Sequence, residues 1–327
     1  MNLFSTTSLS TDRFFSLALA ALLLIVLSGS AIAQQAEPAD EWKLVNRQVI
    51  DLHQAGRYDE ALIAARKALG LAETADSKSR IATSLNNIAL INKEKGQYAE
   101  AENIYRQALK IRETMAGGEP SADIAQSLNN LAELYKVQHR YVDAEPLLIR
   151  AIRIREEING KDHPALATSI NNLAGLYQAQ NALVKAEQLY KRALAIREKA
   201  LGPDHPDVAQ SLGNLAMIYD AQGEYAQAEN FYRKSIIIRE KALGSDHPDL
   251  AISFNNLAGL YTAQGKLVEA EPLYKHALEL ADRQLGVKHP TFILILGNYA
   301  ALLRKMDRNE DAARLELRVT QLRQQIQ

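Results

Sequence analysis

The chain has no cysteine among its 327 residues. That excludes disulfides, thiolate metal sites and a lipid-bearing cysteine near the amino terminus, so stability must come from packing. It also lacks an excess of either charge. Basic side chains number 38 against 39 acidic ones, for a net charge of −1, and no basic footprint points to a nucleic-acid partner. No Gly-rich phosphate loop occurs, no paired-histidine motif on one helix, and no serine in a nucleophile elbow. A catalytic group needs its own partner and its own electrostatic setting. Here nearly every polar residue has copies one repeat away, so no catalytic residue, no metal site and no cofactor is expected.

Long apolar runs are missing too, with one exception. Phe14 to Leu27 is nearly all apolar, follows Arg13, and leads through Ser28-Gly29-Ser30 into Ala31-Ile32-Ala33. A short apolar core ending in small residues is the pattern of a cleaved signal peptide, expected over residues 1–33. The competing reading is an uncleaved anchor, because Phe14 to Ala33 reaches the ~20 residues of a membrane span. Cleavage leaves no membrane span; without it an N-terminal anchor remains. Either way the chain is expected to be exported, and with cleavage it is periplasmic or secreted. Gln34 to Glu41 is polar, contains Pro38, and reads as a flexible leader over 34–41.

What the chain does have is a phrase that returns six times. Ser84-Leu85-Asn86-Asn87, Ser127-Leu128-Asn129-Asn130, Ser169-Ile170-Asn171-Asn172, Ser211-Leu212-Gly213-Asn214 and Ser253-Phe254-Asn255-Asn256 are followed by Leu296-Gly297-Asn298. Measured on the last Asn, the intervals are 43, 42, 42, 42 and 42 residues, a period that belongs to stacked supersecondary units. Each unit carries two helical patterns. Leu212, Leu215, Ala216 and Tyr219 form one apolar face, and Gly223 follows with the freedom to end a helix at positive φ. Tyr225, Ala228, Phe231, Tyr232 and Ser235 form a second face. Asp204-His205-Pro206 opens the next first helix, the Asp able to accept backbone N–H groups and the Pro harmless in the first turn. The same opening recurs at Asp162-His163-Pro164, Asp246-His247-Pro248 and Lys288-His289-Pro290. The extra residue of the 43-residue interval is expected at Gly117-Gly118. Alanine holds one place in every first helix from Ala89 to Ala300 and one in every second helix from Ala61 to Ala312, where two helices must approach closely.

These residues resemble the tetratricopeptide repeat, and the 42-residue form with Leu-Asn-Asn-Leu-Ala and Gly-x-Asp-His-Pro is similar to the repeats of kinesin light chains and their bacterial relatives. Residues 159–284 match closely, 75–158 with defects, and the two ends loosely. The resemblance implies an all-α, right-handed superhelical solenoid of about seven stacked antiparallel helix pairs. The expected units are 42–74, 75–115, 116–158, 159–200, 201–242, 243–284 and 285–327. It also implies a protein or peptide partner held in the concave groove lined by the first helices. Departures stand at His139 and Asn181 in place of the turn glycine, at Asn92, Leu52 and Leu303 in place of tyrosine, and at Pro146 and Pro272 near the start of second helices.

The candidate groove residues are Asn87, Asn130, Asn172, Asn214, Asn256 and Asn298, reinforced by Asn129, Asn171 and Asn255. A row of amides offers donors and acceptors to the backbone of an extended peptide with little regard to its sequence. The alternative is that these amides bond to neighbouring helices and set the stacking; both roles can coexist. His163, His205, His247 and His289 stand too far apart for one metal ion, since packed helices lie about 8–10 Å apart, and are expected to cap helices. The tyrosines at 135, 177, 219 and 261, and at 105, 190, 232 and 274, are expected in the core with hydroxyls reaching the helix surface. Arg197-Glu198-Lys199 and Arg239-Glu240-Lys241 read as solvated outer faces. Two functions follow: an adaptor that binds a peptide or protein segment in the groove, or a structural subunit of an envelope or secretion assembly that uses its convex face or its ends.

Overall fold

The computed structural model describes residues 40–326. The expected signal peptide over 1–33 lies outside the described residues, as does the expected leader apart from Asp40 and Glu41. Two compact units divide the chain, one through Leu44 and one from Val45. In the first, the Asp40 carboxylate accepts the backbone N–H of Lys43 at 3.4 Å.

The described residues form helices and no strands. In chain order they are α1 (Glu41–Gln54), α2 (Tyr58–Thr74), α3 (Lys78–Glu94), α4 (Tyr98–Ala116), α5 (Ala122–Val137), α6 (Tyr141–Asn159), α7 (Pro164–Ala179), α8 (Leu183–Leu201), α9 (Pro206–Ala221), α10 (Tyr225–Leu243), α11 (Asp249–Ala263), α12 (Leu267–Leu285), α13 (Pro290–Lys305) and α14 (Asn309–Ile326). They stack as seven consecutive antiparallel pairs, each an odd-numbered A helix followed by an even-numbered B helix. Every A helix from α3 onward packs on the B helix before and the B helix after it.

The turns explain why the pairs form where they do. Within pairs, Gly56, Gly96, Gly223 and Gly265 sit at φ 69 to 79, and His139, Asn181 and Asp307 hold the equivalent place at φ 58, 59 and 60. A side chain at left-handed φ costs roughly 1–2 kcal/mol, partly offset because glycine loses about 0.5–1 kcal/mol more on folding. His139→Gly is therefore expected to raise stability by about 0.5–1 kcal/mol, read as a higher denaturation midpoint. A lower midpoint would mean that the 2.8 Å hydrogen bond of His139 with the Tyr141 hydroxyl outweighs the backbone cost. The extra residue of the long interval lies in the turn after α4, where Gly117 and Gly118 take φ 60 and 98. Pro146 and Pro272 are each the sixth residue of their helix. They stand beyond the free N–H groups of the first turn, so each removes one intrahelical bond.

Between pairs, the helix starts are capped by histidine. Nδ1 of His163, His205, His247 and His289 accepts the N–H two residues on, at 3.1, 3.1, 3.3 and 3.1 Å. The aspartates of the same motif, expected to accept backbone N–H groups, reach instead to the next B helix. Asp162 pairs with Lys199 at 2.5 Å, Asp204 with Lys241, and Asp246 with Arg283 at 2.8 Å. The imidazole is the acceptor positioned beside the first N–H groups, which leaves the carboxylate to span two pairs.

The alanines of both rows are buried, none above 1% exposed, and they let the helices close on one another. The A helices of pairs two and three, three and four, and six and seven also touch directly, whereas no two neighbouring B helices meet comparably. A row of helices that touch lies on the shorter arc, so the A helices line the concave side of the array. The polar face expected at the end is present on α14, where Arg314, Glu316, Arg318, Arg323, Gln324 and Gln325 are exposed.

Candidate functional site

The asparagine ladder runs along the A helices as a chain of amide-to-amide hydrogen bonds. Nδ2 of the second Asn in one pair donates to Oδ1 of the first Asn in the pair before it. The rungs are Asn87 to Asn46 at 2.8 Å, Asn130 to Asn86 at 2.9 Å, Asn214 to Asn171 at 2.7 Å and Asn298 to Asn255 at 2.8 Å. Each rung satisfies one donor and one acceptor and leaves further capacity on both amides.

Two rungs are open, for different reasons. At the third pair, Asn129 turns its Nδ2 to the Ser169 hydroxyl at 3.0 Å, and Asn172 has no side-chain hydrogen bond. At the fifth pair Gly213 occupies the place of the first Asn, so Asn256 has no amide behind it and accepts only from its neighbour Asn255 at 3.1 Å. Asn129 and Asn255 are 3% and 5% exposed. The second Asn of each pair from the second onward stays half-buried, as do Asn86 and Asn171, so these amides remain accessible on the A-helix face. Beside Asn87, a recess of about 100 Å³ opens between α1 and α3, lined by Val49, Ile50, His53, Gln54, Leu90 and Ile91. That is room for one side chain, well below the ~300 Å³ at which small-molecule pockets begin.

Around the ladder, polar groups tie one pair to the next. The A-helix tyrosines, as expected, sit in the core with their hydroxyls at its edge. Tyr135, Tyr177, Tyr219 and Tyr261 donate to Glu102, Glu145, Glu187 and Glu229 of the preceding B helix at 3.0, 2.6, 3.2 and 2.7 Å. In the last pair Leu303 stands in the tyrosine place and Tyr299, one turn earlier, donates to Glu271 at 2.8 Å. Lys275, Arg308 and Tyr299 together hold the Glu271 carboxyl down at about 2. The B-helix tyrosines at 105, 190, 232 and 274 are buried.

The arginines read as solvated are the clearest correction. Arg197 is 3% exposed, and its Nη1 donates to the Ser211 hydroxyl at 2.9 Å, the Asp207 carbonyl at 3.0 Å and the Gln210 side chain at 3.1 Å. Arg112 does the same with Ser127 at 2.7 Å and the Asp123 carbonyl at 3.0 Å, and Arg239 with Ser253. Burial pushes all three guanidinium groups below their ordinary value. Arg155 stands at the same place but bonds the Ala122 carbonyl of its own pair at 3.0 Å, consistent with Asn129 holding the Ser169 hydroxyl. The serine of the recurring phrase is thus the anchor for an arginine from the previous unit. The recurrence of these arginines at the repeat period is visible in the sequence; that they face the next serine rather than water is not.

Among the described residues no group of three His, Asp or Glu side chains is arranged to hold a metal ion. No described helix is long and apolar enough to cross a membrane. A family model described as tetratricopeptide repeat matches residues 43–114, 123–199, 171–241, 221–281 and 249–325. No curated protein matches the chain. Among solved structures, a putative kinesin light chain with nearly identical TPR-like repeats from Podosopora anserina is 27% identical. The match covers 62% of this chain and 96% of that one, with a TM-score of 0.50. BtubC (BKLC) from P. vanneervenii is 24% identical over 73% of this chain and 93% of its own, with a TM-score of 0.55. A Rap protein complexed with competence and sporulation factor is 18% identical over 91% of this chain and 78% of its own, with a TM-score of 0.68. The shared fold is one of interaction scaffolds, whose long concave surfaces bind other chains.

Proposed function

This chain belongs to the tetratricopeptide repeat family, and from that premise we propose that it is an exported scaffold or adaptor holding an extended peptide or protein segment in its concave groove. The observation that carries this reading is the row of half-buried second asparagines on the A helices, each with amide capacity left after the inter-pair rungs are made. Such a row serves a peptide backbone, which repeats its N–H and C=O groups whatever its side chains. The recess beside Asn87 adds room for one side chain of the bound segment. A Rap protein of the same fold is found in complex with a factor, which supports a binding role for an array of this kind. Export rests on the apolar segment after Arg13 and the small residues that end it.

The open rungs provide the test. Asn172 and Asn256 make no bond to the preceding pair, so Asn172→Ala with Asn256→Ala breaks no inter-pair rung; the one side-chain bond it removes is that from Asn255 to Asn256, and the double variant is expected to remain folded and to lose no more than about 1–2 kcal/mol of stability. A partner captured from the envelope fraction by residues 34–327, then purified, is expected to bind the double variant about 2 kcal/mol more weakly, roughly 30-fold. Equal affinity for both proteins would move the contacts out of the groove.

A second reading, a structural subunit contacted outside the groove, has one observation in its favour. Val142, Val184 and Val268 hold the second position of α6, α8 and α12 and are 87%, 66% and 75% exposed, an apolar row along one edge of the array. Retained binding by the groove variant would turn attention to that row.

A further inference from the structure

The first and seventh pairs of the array meet. The carbonyl of Gln54, the last residue of α1, accepts a hydrogen bond from Nε2 of His289 at 3.0 Å across 235 residues of sequence. Next to it, Gly56 lies so close to the start of α13 that a Cβ there would stand 3.0 Å from Pro290 Cδ and 3.4 Å from His289 Cδ2. The imidazole serves both sides in one neutral tautomer. Nε2–H donates to Gln54, while bare Nδ1 accepts the Thr291 N–H at 3.1 Å and caps α13. Burial at this contact pushes His289 below its ordinary value, which keeps the ring neutral.

The location of the contact sets its meaning. Residues 54–56 form the turn inside the first pair, and His289-Pro290 follows the turn between the sixth and seventh pairs. In a stack of antiparallel pairs, turns within pairs fall on one edge and turns between pairs on the other. These two can touch only if six steps bring the array once around while it rises by about one helix length, roughly 24 Å for a 16-residue helix. The concave side is then enclosed all the way round.

The contact is also slight. Neighbouring pairs share continuous buried clusters, and the cluster that includes the seventh pair runs from Ala174 to Leu322 with no residue of the first pair in it. Among the described residues, the contacts seen between the two ends are one neutral hydrogen bond and a glycine against a proline.

We propose that the groove is closed into a channel by a latch between Gln54 and His289, and that this seam is the one place where the ring of pairs opens without unstacking its core. This stands whatever occupies the groove. An extended segment with a free end would thread the channel, and a segment inside a longer chain would have to pass the seam.

The absence of native cysteine makes the seam directly testable. Ala55→Cys with Lys288→Cys places two exposed thiols beside the contact, and Ala55→Cys with Lys161→Cys is the control across the array. A short bismaleimide at low protein concentration is expected to link the seam pair within one chain at least tenfold faster than the control pair. In the seam pair, His289→Asn keeps a good helix cap but cannot reach Gln54, and it is expected to slow the linkage roughly five- to tenfold. His247→Asn makes the same change at an equivalent cap away from the seam and should leave the rate unchanged. Equal rates for seam and control pairs would overturn closure, and a seam rate indifferent to His289→Asn would overturn the latch.

Discussion

Arg197→Ala is expected to destabilise the array by about 3 kcal/mol, while Lys199→Ala, two residues further along α8, costs less than about 1 kcal/mol. Both are cations late in the same B helix, and in sequence they look alike. Arg197 is 3% exposed and bonds the Ser211 hydroxyl, the Asp207 carbonyl and the Gln210 side chain of the next A helix. Lys199 pairs with Asp162 across 2.5 Å with both side chains more than 60% exposed. Hydrogen bonds from a charged donor contribute about 1.5–3 kcal/mol, and losing the donor leaves buried acceptors unpaired. An exposed ion pair contributes about 0–1 kcal/mol. Urea titrations of the two variants give the comparison. If Arg197→Ala fell within 1 kcal/mol of Lys199→Ala, the guanidinium would not be the tie between the fourth and fifth pairs.

Asn92→Leu is expected to act in the opposite direction and stabilise the array by about 2 kcal/mol. Asn92 is wholly buried in α3, and neither its Nδ2 nor its Oδ1 has a hydrogen-bond partner. A buried polar group without a partner costs about 1–3 kcal/mol. In the next four pairs this place holds Tyr135, Tyr177, Tyr219 and Tyr261, each donating to a glutamate on the preceding B helix. The residue that follows the helix-B alanine, glutamate in those pairs, is Leu62 in the first. A tyrosine at 92 would therefore bring a hydroxyl with no carboxylate to meet it, whereas leucine removes both unpaired atoms. Slower hydrogen exchange along α3 should accompany the higher midpoint. A variant less stable than the parent would mean that Asn92 is satisfied by ordered water.

Much of the unit is legible in its amino-acid sequence. Leu212, Leu215, Ala216 and Tyr219 mark the buried face of α9 because a helix returns its side chains to one side every three to four residues. Gly223 and His205 mark where α9 ends and begins because positive φ and an N-cap acceptor are requirements of the chain itself. Even the place of His139 could be assigned by its register with glycine. The roles of Arg197 and Asp204 were not legible in the same way. Whether a late-helix arginine faces water or the next serine depends on how the neighbouring pair is seated. The asparagines were found by their period, but their rungs were not, because each partner belongs to the unit before. The break at Gly213 matters only once Asn256 is known to look for an amide there.

The sequence alone determined the repeat, the helix pairs and the buried alanine and tyrosine rows, since all of these follow from spacing within some 40 residues. The tertiary structure alone decided which amides are tied and which are open, which arginines are buried, and that Gln54 meets His289. Those outcomes depend on the small rotation from one pair to the next, which no single unit reveals and which accumulates along the array.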